Sequence, residues 1–169
     1  MSERTVTVAI YPGSFDPITK GHEDLVRRAL HFVDSVIVAV AHRRTQRKDG
    51  MFSITDRLAL IRQSFADEKR VVATEFDGLL VDFARKQDAR LIIRGLRAVT
   101  DFEYEFQMAL MNRQLWNELE TLFLAPDARY TFLSASLVRE IASLGGDVSA
   151  LVAPHVLAVL QARFGGRRT

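Results

Sequence analysis

Short apolar runs alternate along the chain with helix-like segments, and this alternation constrains the fold more than any other feature. The run SVIVAVA at 35–41 is almost continuously apolar, which is typical of a parallel strand covered on both faces. Four further runs have strand character and cover residues 5–11, 70–76, 90–95 and 121–126. This order predicts an α/β fold with a doubly wound, Rossmann-like five-stranded parallel sheet and helices on both faces.

Helical patterns fill the intervals between these strands. Helices are predicted at 22–33, 79–87, 101–120, 136–144 and 154–164. Ser53 followed by Asp56 matches a capping box and starts a further helix after the second strand. Because no repeat or linker interrupts the pattern, residues 1–169 are predicted to form one domain, with a frayed tail at 165–169.

The composition excludes several classes of protein. The 169 residues are 48% hydrophobic and 26% charged, enough for one soluble globular core. The absence of cysteine excludes disulfides and thiolate–metal sites and fits a reducing cytoplasm. The N-terminus lacks a secretory pattern, and no run approaches the roughly 20 apolar residues of a membrane span. A net charge of +2 does not indicate a nucleic-acid-binding protein.

Unusual residues follow the strands, where ligands bind in parallel sheets. YPGSFDPITKGH (11–22) follows the first strand, and HRRTQRK (42–48) follows the second. The stretch 94–97 ends the fourth strand, and 130–136 follows the fifth. Glycines and hydroxyls near helix starts, together with arginines, suit phosphate groups. The sequence therefore predicts a phosphate-binding site at one edge of the sheet.

Each candidate has a plainer structural interpretation, which the sequence leaves open. His22 could cap or decorate a helix, the cations of 42–48 could form a solvated loop, and Ser136 could be only an N-cap. Arg94 is harder to explain in this way, because it ends an apolar strand and needs an anionic partner. Asp16 is the internal alternative to a bound anion.

The helix predicted at 101–120 carries apolar residues around more of its surface than one buried face requires. One stripe consists of Phe102, Phe106, Leu110 and Met111, and Met108, Leu115, Trp116 and Leu119 continue beyond it. The helix could lie deep in the core. We favour the alternative, in which it also covers a subunit interface.

Three ordered blocks of the sequence resemble one known family. YPGSFDPITKGH contains Thr19-Lys20-Gly21-His22, the T-x-G-H form of the first signature of the nucleotidylyltransferase superfamily. IIRGLRAVTDFEYEFQMALMNRQL (92–115) and FLSASLVREIASLGGDVSALVAP (132–154) resemble the bacterial phosphopantetheine adenylyltransferases in particular. The similarity extends from the first strand to the final helix, so the chain is identified as a member of that family.

The resemblance implies a reaction. ATP and 4′-phosphopantetheine would give dephospho-coenzyme A and pyrophosphate, the penultimate step of coenzyme A biosynthesis. The attack at the α-phosphate would be in line, without a covalent enzyme intermediate, and Mg²⁺ would enter bound to ATP. The resemblance further implies a cytoplasmic homohexamer, and neither nucleic acid nor a membrane is expected as a partner.

The resemblance also assigns roles to matching positions. Catalytic roles fall on His22, Lys48 and Arg97, with His22 stabilising the transition state at the α-phosphate. ATP contacts are implied for Ser14, Phe15, His22, Gly95, Leu96, Arg97, Glu105, Tyr130, Thr131, Phe132, Leu133, Ser134, Ala135 and Ser136. Phosphopantetheine contacts are implied for Ser14, Lys48, Leu80 and Arg94.

Two positions depart from the pattern of the family. Ala135 replaces one hydroxyl of a usual run of three, which leaves the side chains of Ser134 and Ser136 to donate hydrogen bonds. The loop after the second strand is longer than in some relatives, so Arg47 stays an alternative to Lys48 as the cation that orients phosphates.

Three other functions compete with this interpretation. The chain could be another nucleotidylyltransferase, acting on nicotinate mononucleotide or on a sugar or glycerol phosphate, but the block at 92–115 disfavours that. It could be a nucleotide sensor without catalysis, which His22, Lys48 and Arg94 disfavour. It could also bind nucleic acid through 42–48, but that segment lacks interleaved aromatic residues.

Overall fold

A five-stranded parallel sheet lies at the centre of the fold, in a computed structural model that describes residues 6–42, 50–97 and 99–165. In chain order its strands are β1 (Val8–Gly13), β2 (Ser35–Ala41), β3 (Val71–Phe76), β4 (Leu91–Gly95) and β5 (Glu120–Leu124). They are arranged β3-β2-β1-β4-β5, and every pairing is parallel. The predicted α/β class with five parallel strands is confirmed.

Helices pack on both faces of the sheet, as predicted. They are α1 (Lys20–Ala29), α2 (Ile54–Ser64), α3 (Leu80–Lys86), α4 (Val99–Leu115), α5 (Ala135–Ser143) and α6 (Pro154–Phe164), with a short 3₁₀ turn at Ala128–Tyr130. Successive strand residues point to opposite faces. In β1, therefore, Ala9 joins the core shared with α1, α2, α5 and α6, whereas Ile10 joins the core shared with α3.

The strand order reverses at β1, which is where a doubly wound sheet forms its binding crevice. From β1 the chain moves outward to β2 and β3, and it then returns to place β4 on the other side of β1. The registered pairing of β1 with β4 joins only Ala9 to Leu91 and Ile10 to Ile92. The two strands therefore part before their carboxyl ends, and the gap between those ends forms the crevice.

Several predicted boundaries are wrong, most clearly at the C-terminus of α4. The helix predicted to reach residue 120 ends at Leu115, and β5 already begins at Glu120. The N–H of Leu119 bonds to the carbonyl of Trp116 in the intervening turn, and Leu119 is only 1% exposed. Apolar residues there continued the helical pattern because the turn itself is buried against the sheet.

The N-terminal elements also shift relative to their predicted bounds. The first strand was expected at 5–11 but runs over Val8–Gly13, and the following helix was expected at 22–33 but covers Lys20–Ala29. The capping box predicted for α2 is confirmed in its N-cap half, because the Ser53 side chain accepts the N–H of Asp56, whereas the Asp56 carboxylate accepts the Ser53 hydroxyl. Of the predicted frayed tail, residues 166–169 lie outside the described residues.

The interior position considered for α4 is wrong for the single chain. Seven of its apolar side chains are between 40% and 62% exposed, namely Phe102, Tyr104, Phe106, Met108, Leu110, Met111 and Leu115. Within the described residues, no helix combines the length and the apolar character that crossing a bilayer requires.

Candidate active site

The loop from β1 into α1 fixes the ring of His22 in the first turn of α1. Thr19 is the N-cap residue; its hydroxyl accepts the N–H of His22, and Nδ1 of His22 accepts the N–H of Thr19 at 3.0 Å. Phe15 packs edge-on against the imidazole, with ring centroids 5.1 Å apart. Its backbone has a φ of 45°, in the left-handed region that few non-glycine residues adopt.

The surroundings of His22 favour a neutral ring. Burial, together with the positive charges of Arg97 and Arg94, lowers the pKa of His22 to about 4. At neutral pH the imidazole therefore carries one proton and can donate one N–H without carrying a net charge. Tyr11 lies beside it with a pKa raised to about 12, chiefly by burial, so its phenol is also neutral.

Arg94 at the end of β4 is paired with Glu105 of α4, and not with Asp16 as the sequence alternative proposed. Its Nε donates to Oε2 of Glu105 at 2.6 Å, its Nη2 donates to Oε1, and its Nη1 donates to the carbonyl of Pro12 at 2.8 Å. A guanidinium has five N–H groups. One N–H on Nη1 and one on Nη2 are left without a partner among the described residues.

Asp16 instead anchors the chain before α2. Its carboxylate accepts the backbone N–H groups of Met51 and Phe52 at 2.8 and 2.9 Å. The guanidinium of Arg57 lies 3.4 Å from it and that of Arg139 lies 3.9 Å from it. These contacts satisfy the carboxylate of a residue that is only 6% exposed, and they tie the β1–α1 loop to the segment that follows residues 43–49.

The start of α5 brings hydroxyls and N–H groups to the same edge. Ser134 is the N-cap, and its Oγ accepts the N–H of Leu137 at 3.1 Å and lies 3.0 Å from Oγ of Ser136. The interpretation of Ser136 as the N-cap is therefore wrong by two residues. Nη1 of Arg97 donates to the carbonyl of Leu133 at 2.9 Å, which links the end of β4 to this helix start.

Two cavities meet at this edge of the sheet. The first has a volume of about 500 Å³ and the second about 240 Å³. Both are lined by Pro12, Gly13, Ser14, Arg94 and Glu105. The first extends past His22 to the start of α5, whereas the second extends between Leu80 and α4. The shared wall thus contains one arginine that faces both spaces.

Most of the predicted site residues line one of these cavities. In the larger are Ser14, Phe15, His22, Arg94, Gly95, Arg97, Glu105, Tyr130, Leu133, Ser134, Ala135 and Ser136. Leu80 lines the smaller one. Leu96, Thr131 and Phe132 line neither, and Phe132 is 89% exposed. Lys48 and its alternative Arg47 lie outside the described residues.

A third cavity, of about 840 Å³, lies between the end of α5 and α6. It is larger than the other two but contains none of the predicted site residues. Its described lining has no arginine, lysine or histidine, so it offers no cation to a phosphate.

The structure adds lining residues that sequence reasoning missed. Of the two cavities that share Arg94, the larger is also lined by Thr19 and Arg139, and the smaller is also lined by Asn112. Arg139 follows Ser136 by three residues, so helical periodicity places both on one face of α5. Asn112 interrupts an apolar pattern and is 8% exposed, which marks it as a buried polar group of α4.

The sequence was compared with known proteins, and its relatives are nucleotidyltransferases, which bind phosphate groups as the geometry of the cavities suggests. Residues 10–141 match the cytidylyltransferase-like family. The phosphopantetheine adenylyltransferase of Azoarcus sp. (strain BH72) is 54% identical over 161 residues, covering 95% of this chain and 98% of that protein. That of Aromatoleum aromaticum is 58% identical over 149 residues, covering 88% and 90%.

A solved structure from Vibrio parahaemolyticus, assigned as a nicotinate-nucleotide adenylyltransferase, superimposes with a TM-score of 0.66. It covers 94% of this chain and 93% of its own, but at 16% identity it shows the fold alone. The sequence relatives are far closer and extend along nearly the whole chain. The chain therefore belongs to the phosphopantetheine adenylyltransferase family, within the cytidylyltransferase-like proteins.

Proposed function

We propose that this chain transfers the adenylyl group of ATP to 4′-phosphopantetheine, giving dephospho-coenzyme A and pyrophosphate. The observation that carries the proposal is the pair of cavities that share Arg94 and Ser14. A transfer between two phosphorylated molecules needs two adjoining spaces with a cation where they meet. The family membership supplies the identity of both substrates.

ATP fits the larger of the two cavities that share Arg94, the one lined by His22 and the start of α5. The N–H groups at the start of α5 and the hydroxyls of Ser134 and Ser136 offer donors to phosphate oxygens. Arg97 and Arg139 add positive charge to the same wall. We assign the adenosine to the side of the cavity near Tyr130 and the α-phosphate to the side near His22, where it faces the junction with the smaller cavity.

Phosphopantetheine fits the smaller cavity. Its phosphate would bind at the junction, where Arg94 retains one free N–H on each terminal nitrogen. Two such donors suit bidentate binding of a phosphate. The pantetheine arm would lie between Leu80 and Met108, since an aliphatic chain with amides needs an apolar channel with few polar groups.

The chemistry needs placement and charge stabilisation more than a base. The attacking phosphate is already anionic near neutral pH, so no proton has to be removed before it attacks the α-phosphorus. His22 would donate its N–H to the α-phosphate as negative charge builds there. Holding both anions on Arg94, Arg97 and Arg139 offsets their repulsion and aligns them for in-line displacement.

Magnesium would enter with the nucleotide. The cavity carboxylates Asp101 and Glu105 are engaged by Arg97 and Arg94, and no cluster of three metal-ligating side chains occurs within the described ranges. This donor set fits an ion held by the phosphates of ATP and by its own water molecules. When bound, it would neutralise charge on the phosphates.

The role of Lys48 in orienting the phosphates remains part of the proposal.

We further infer a cytoplasmic homohexamer. The exposed apolar side chains of α4 support an assembly, because a surface of this character is normally covered in an oligomer. The absence of cysteine fits a reducing compartment.

The proposal is tested by pyrophosphate release with a panel of acceptors. ATP should react with 4′-phosphopantetheine, and nicotinate mononucleotide and glycerol 3-phosphate should give only background release. A different preferred acceptor would overturn the substrate assignment. ATP binding without release from any acceptor would overturn the enzymatic function.

A further inference from the structure

The capping box of α1 has a histidine where such boxes usually have glutamate or glutamine. In the usual box, a carboxylate or amide oxygen at the third helical position accepts the N–H of the cap residue. Here Nδ1 of His22 takes that place, 3.0 Å from the N–H of Thr19. The same imidazole lines the cavity assigned to ATP, so one ring both caps the helix and faces the substrate.

The donors around Nδ1 determine which nitrogen carries the proton. A backbone N–H can only donate, so Nδ1 must present its lone pair to Thr19. The Thr19 hydroxyl lies 3.1 Å from Nδ1 and accepts the backbone N–H of His22. Its own hydrogen is then free to point at Nδ1. The neutral ring therefore has its proton on Nε2, which bonds to no atom among the described residues.

The positive charges around the ring also favour its neutral form. Arg97 and Arg94 line the same cavity as the imidazole, and their positive charges lower its pKa although each arginine is paired with a carboxylate, Asp101 and Glu105 respectively. Tyr11 approaches from β1 as a neutral phenol. Adding a second proton would set an N–H of Nδ1 against the N–H of Thr19, so the capping box itself opposes the imidazolium.

We propose that Thr19 is a positioning residue, which holds His22 as the neutral Nε2–H tautomer and aims that N–H at the α-phosphate. His22 then acts as a fixed hydrogen-bond donor throughout the reaction, and its proton stays on the ring. The proposal deepens the proposed function and rests on it for the identity of the phosphate. The tautomer itself is a property of the free chain.

The tautomer is tested by NMR of the ¹⁵N-labelled histidine rings in the full chain, with the His22→Gln variant used to assign the signal. We expect a protonated Nε2 and an unprotonated Nδ1, without change from pH 5.5 to 8. A proton on Nδ1, or a transition to the imidazolium within that range, would overturn the proposal.

The role of the Thr19 hydroxyl is tested by a pair of substitutions. Thr19→Val removes the hydroxyl at nearly constant shape, and Thr19→Ser retains it. Losing one positioning hydrogen bond should lower kcat roughly tenfold, with little change in the KM for ATP, and should add a second ring state to the NMR signal. Thr19→Ser should restore both readouts.

A matched control separates positioning from helix stability. Ser53→Ala removes the N-cap of α2, which lies outside both cavities. It should lower the melting temperature as much as Thr19→Val does, but leave kcat and the His22 signal unchanged. Wild-type kcat in folded Thr19→Val, or an equal loss of kcat in Ser53→Ala, would contradict the positioning role.

The two proposals can fail separately. A wild-type chain that fails to release pyrophosphate contradicts the proposed function, whereas the ring signal still decides the tautomer. A chain that turns over phosphopantetheine with its His22 proton on Nδ1 contradicts this inference alone.

Discussion

Arg94 is held on three sides before any substrate binds. Glu105 accepts two of its N–H groups and Pro12 a third, so the guanidinium is oriented within a partly buried site. The sequence predicted that this cation needs an anion but named the wrong carboxylate. Glu105 lies eleven residues later in α4, and only the return of that helix over β4 brings it to Arg94. Such proximity is set by packing between elements, which local patterns do not record.

Replacing Arg94 should weaken acceptor binding selectively. Arg94→Gln removes the charge and the paired N–H groups at the junction of the cavities, and charged hydrogen bonds contribute about 1.5–3 kcal/mol. We therefore expect the Kd for 4′-phosphopantetheine, measured by calorimetry, to rise roughly 10- to 100-fold. The Kd for ATP should change less. An unchanged Kd for phosphopantetheine would remove Arg94 from the acceptor site.

Replacing His22 should affect turnover more than binding. His22→Ala removes a preorganised donor whose effect is greatest as charge develops in the transition state, so kcat should fall by roughly 10²- to 10³-fold. The KM for ATP should change little. His22→Gln keeps an N–H at a similar reach and should retain more activity than His22→Ala. Wild-type turnover in His22→Ala, measured by pyrophosphate release, would refute the catalytic role.

At the scale of elements, the site is built from strand ends and helix starts. β1 and β4 part at the crevice, while α1 and α5 direct their first turns toward it. The sequence predicted which loops would meet, because all parallel strands end at one edge. It was less accurate for helix bounds: Thr19 and Ser134 are the caps, whereas the predicted starts fell at His22 and Ser136. The turn after α4 was missed because it is buried.

Removing the two hydroxyls at the start of α5 one at a time should have different effects on stability. Ser134→Ala removes the N-cap bond to Leu137 and should cost about 1 kcal/mol of unfolding free energy. Ser136→Ala leaves that bond intact and should cost much less, while still weakening ATP binding. Urea denaturation and ATP calorimetry on both variants check this, and equal loss of stability would contradict the assignment of Ser134 as the cap.

In the whole molecule, the binding residues lie together at one edge of the sheet, and the apolar surface of α4 stays exposed. The alternation of strands and helices sufficed to predict the architecture, and the resemblance supplied residues at the edge. The ion pair between Arg94 and Glu105 and the meeting of the two cavities could not be predicted from the sequence, because both depend on how α4 packs. The exposed side of α4 is the part of the fold that the single chain does not explain.

Charging that helix surface should dissociate the proposed hexamer. Leu110→Asp places a carboxylate among side chains expected to pack between subunits, where burying an unpaired charge is strongly unfavourable. Light scattering should give the wild type a mass six times its 19.1 kDa chain and the variant a smaller one. Leu144→Asp, at an exposed position outside α4, should keep the wild-type mass. A monomeric wild type would contradict the assembly.

Two phosphorylated molecules should meet at the shared wall of the two cavities. A crystal structure of the chain with dephospho-coenzyme A would show this meeting point, because that product joins the adenylyl group to phosphopantetheine in one molecule. The adenosine should occupy the larger cavity, the pantetheine arm the smaller one, and the diphosphate bridge should lie beside Arg94 and His22. A product bound in the cavity between α5 and α6, or with its two halves on one side of Arg94, would contradict this arrangement of the substrates.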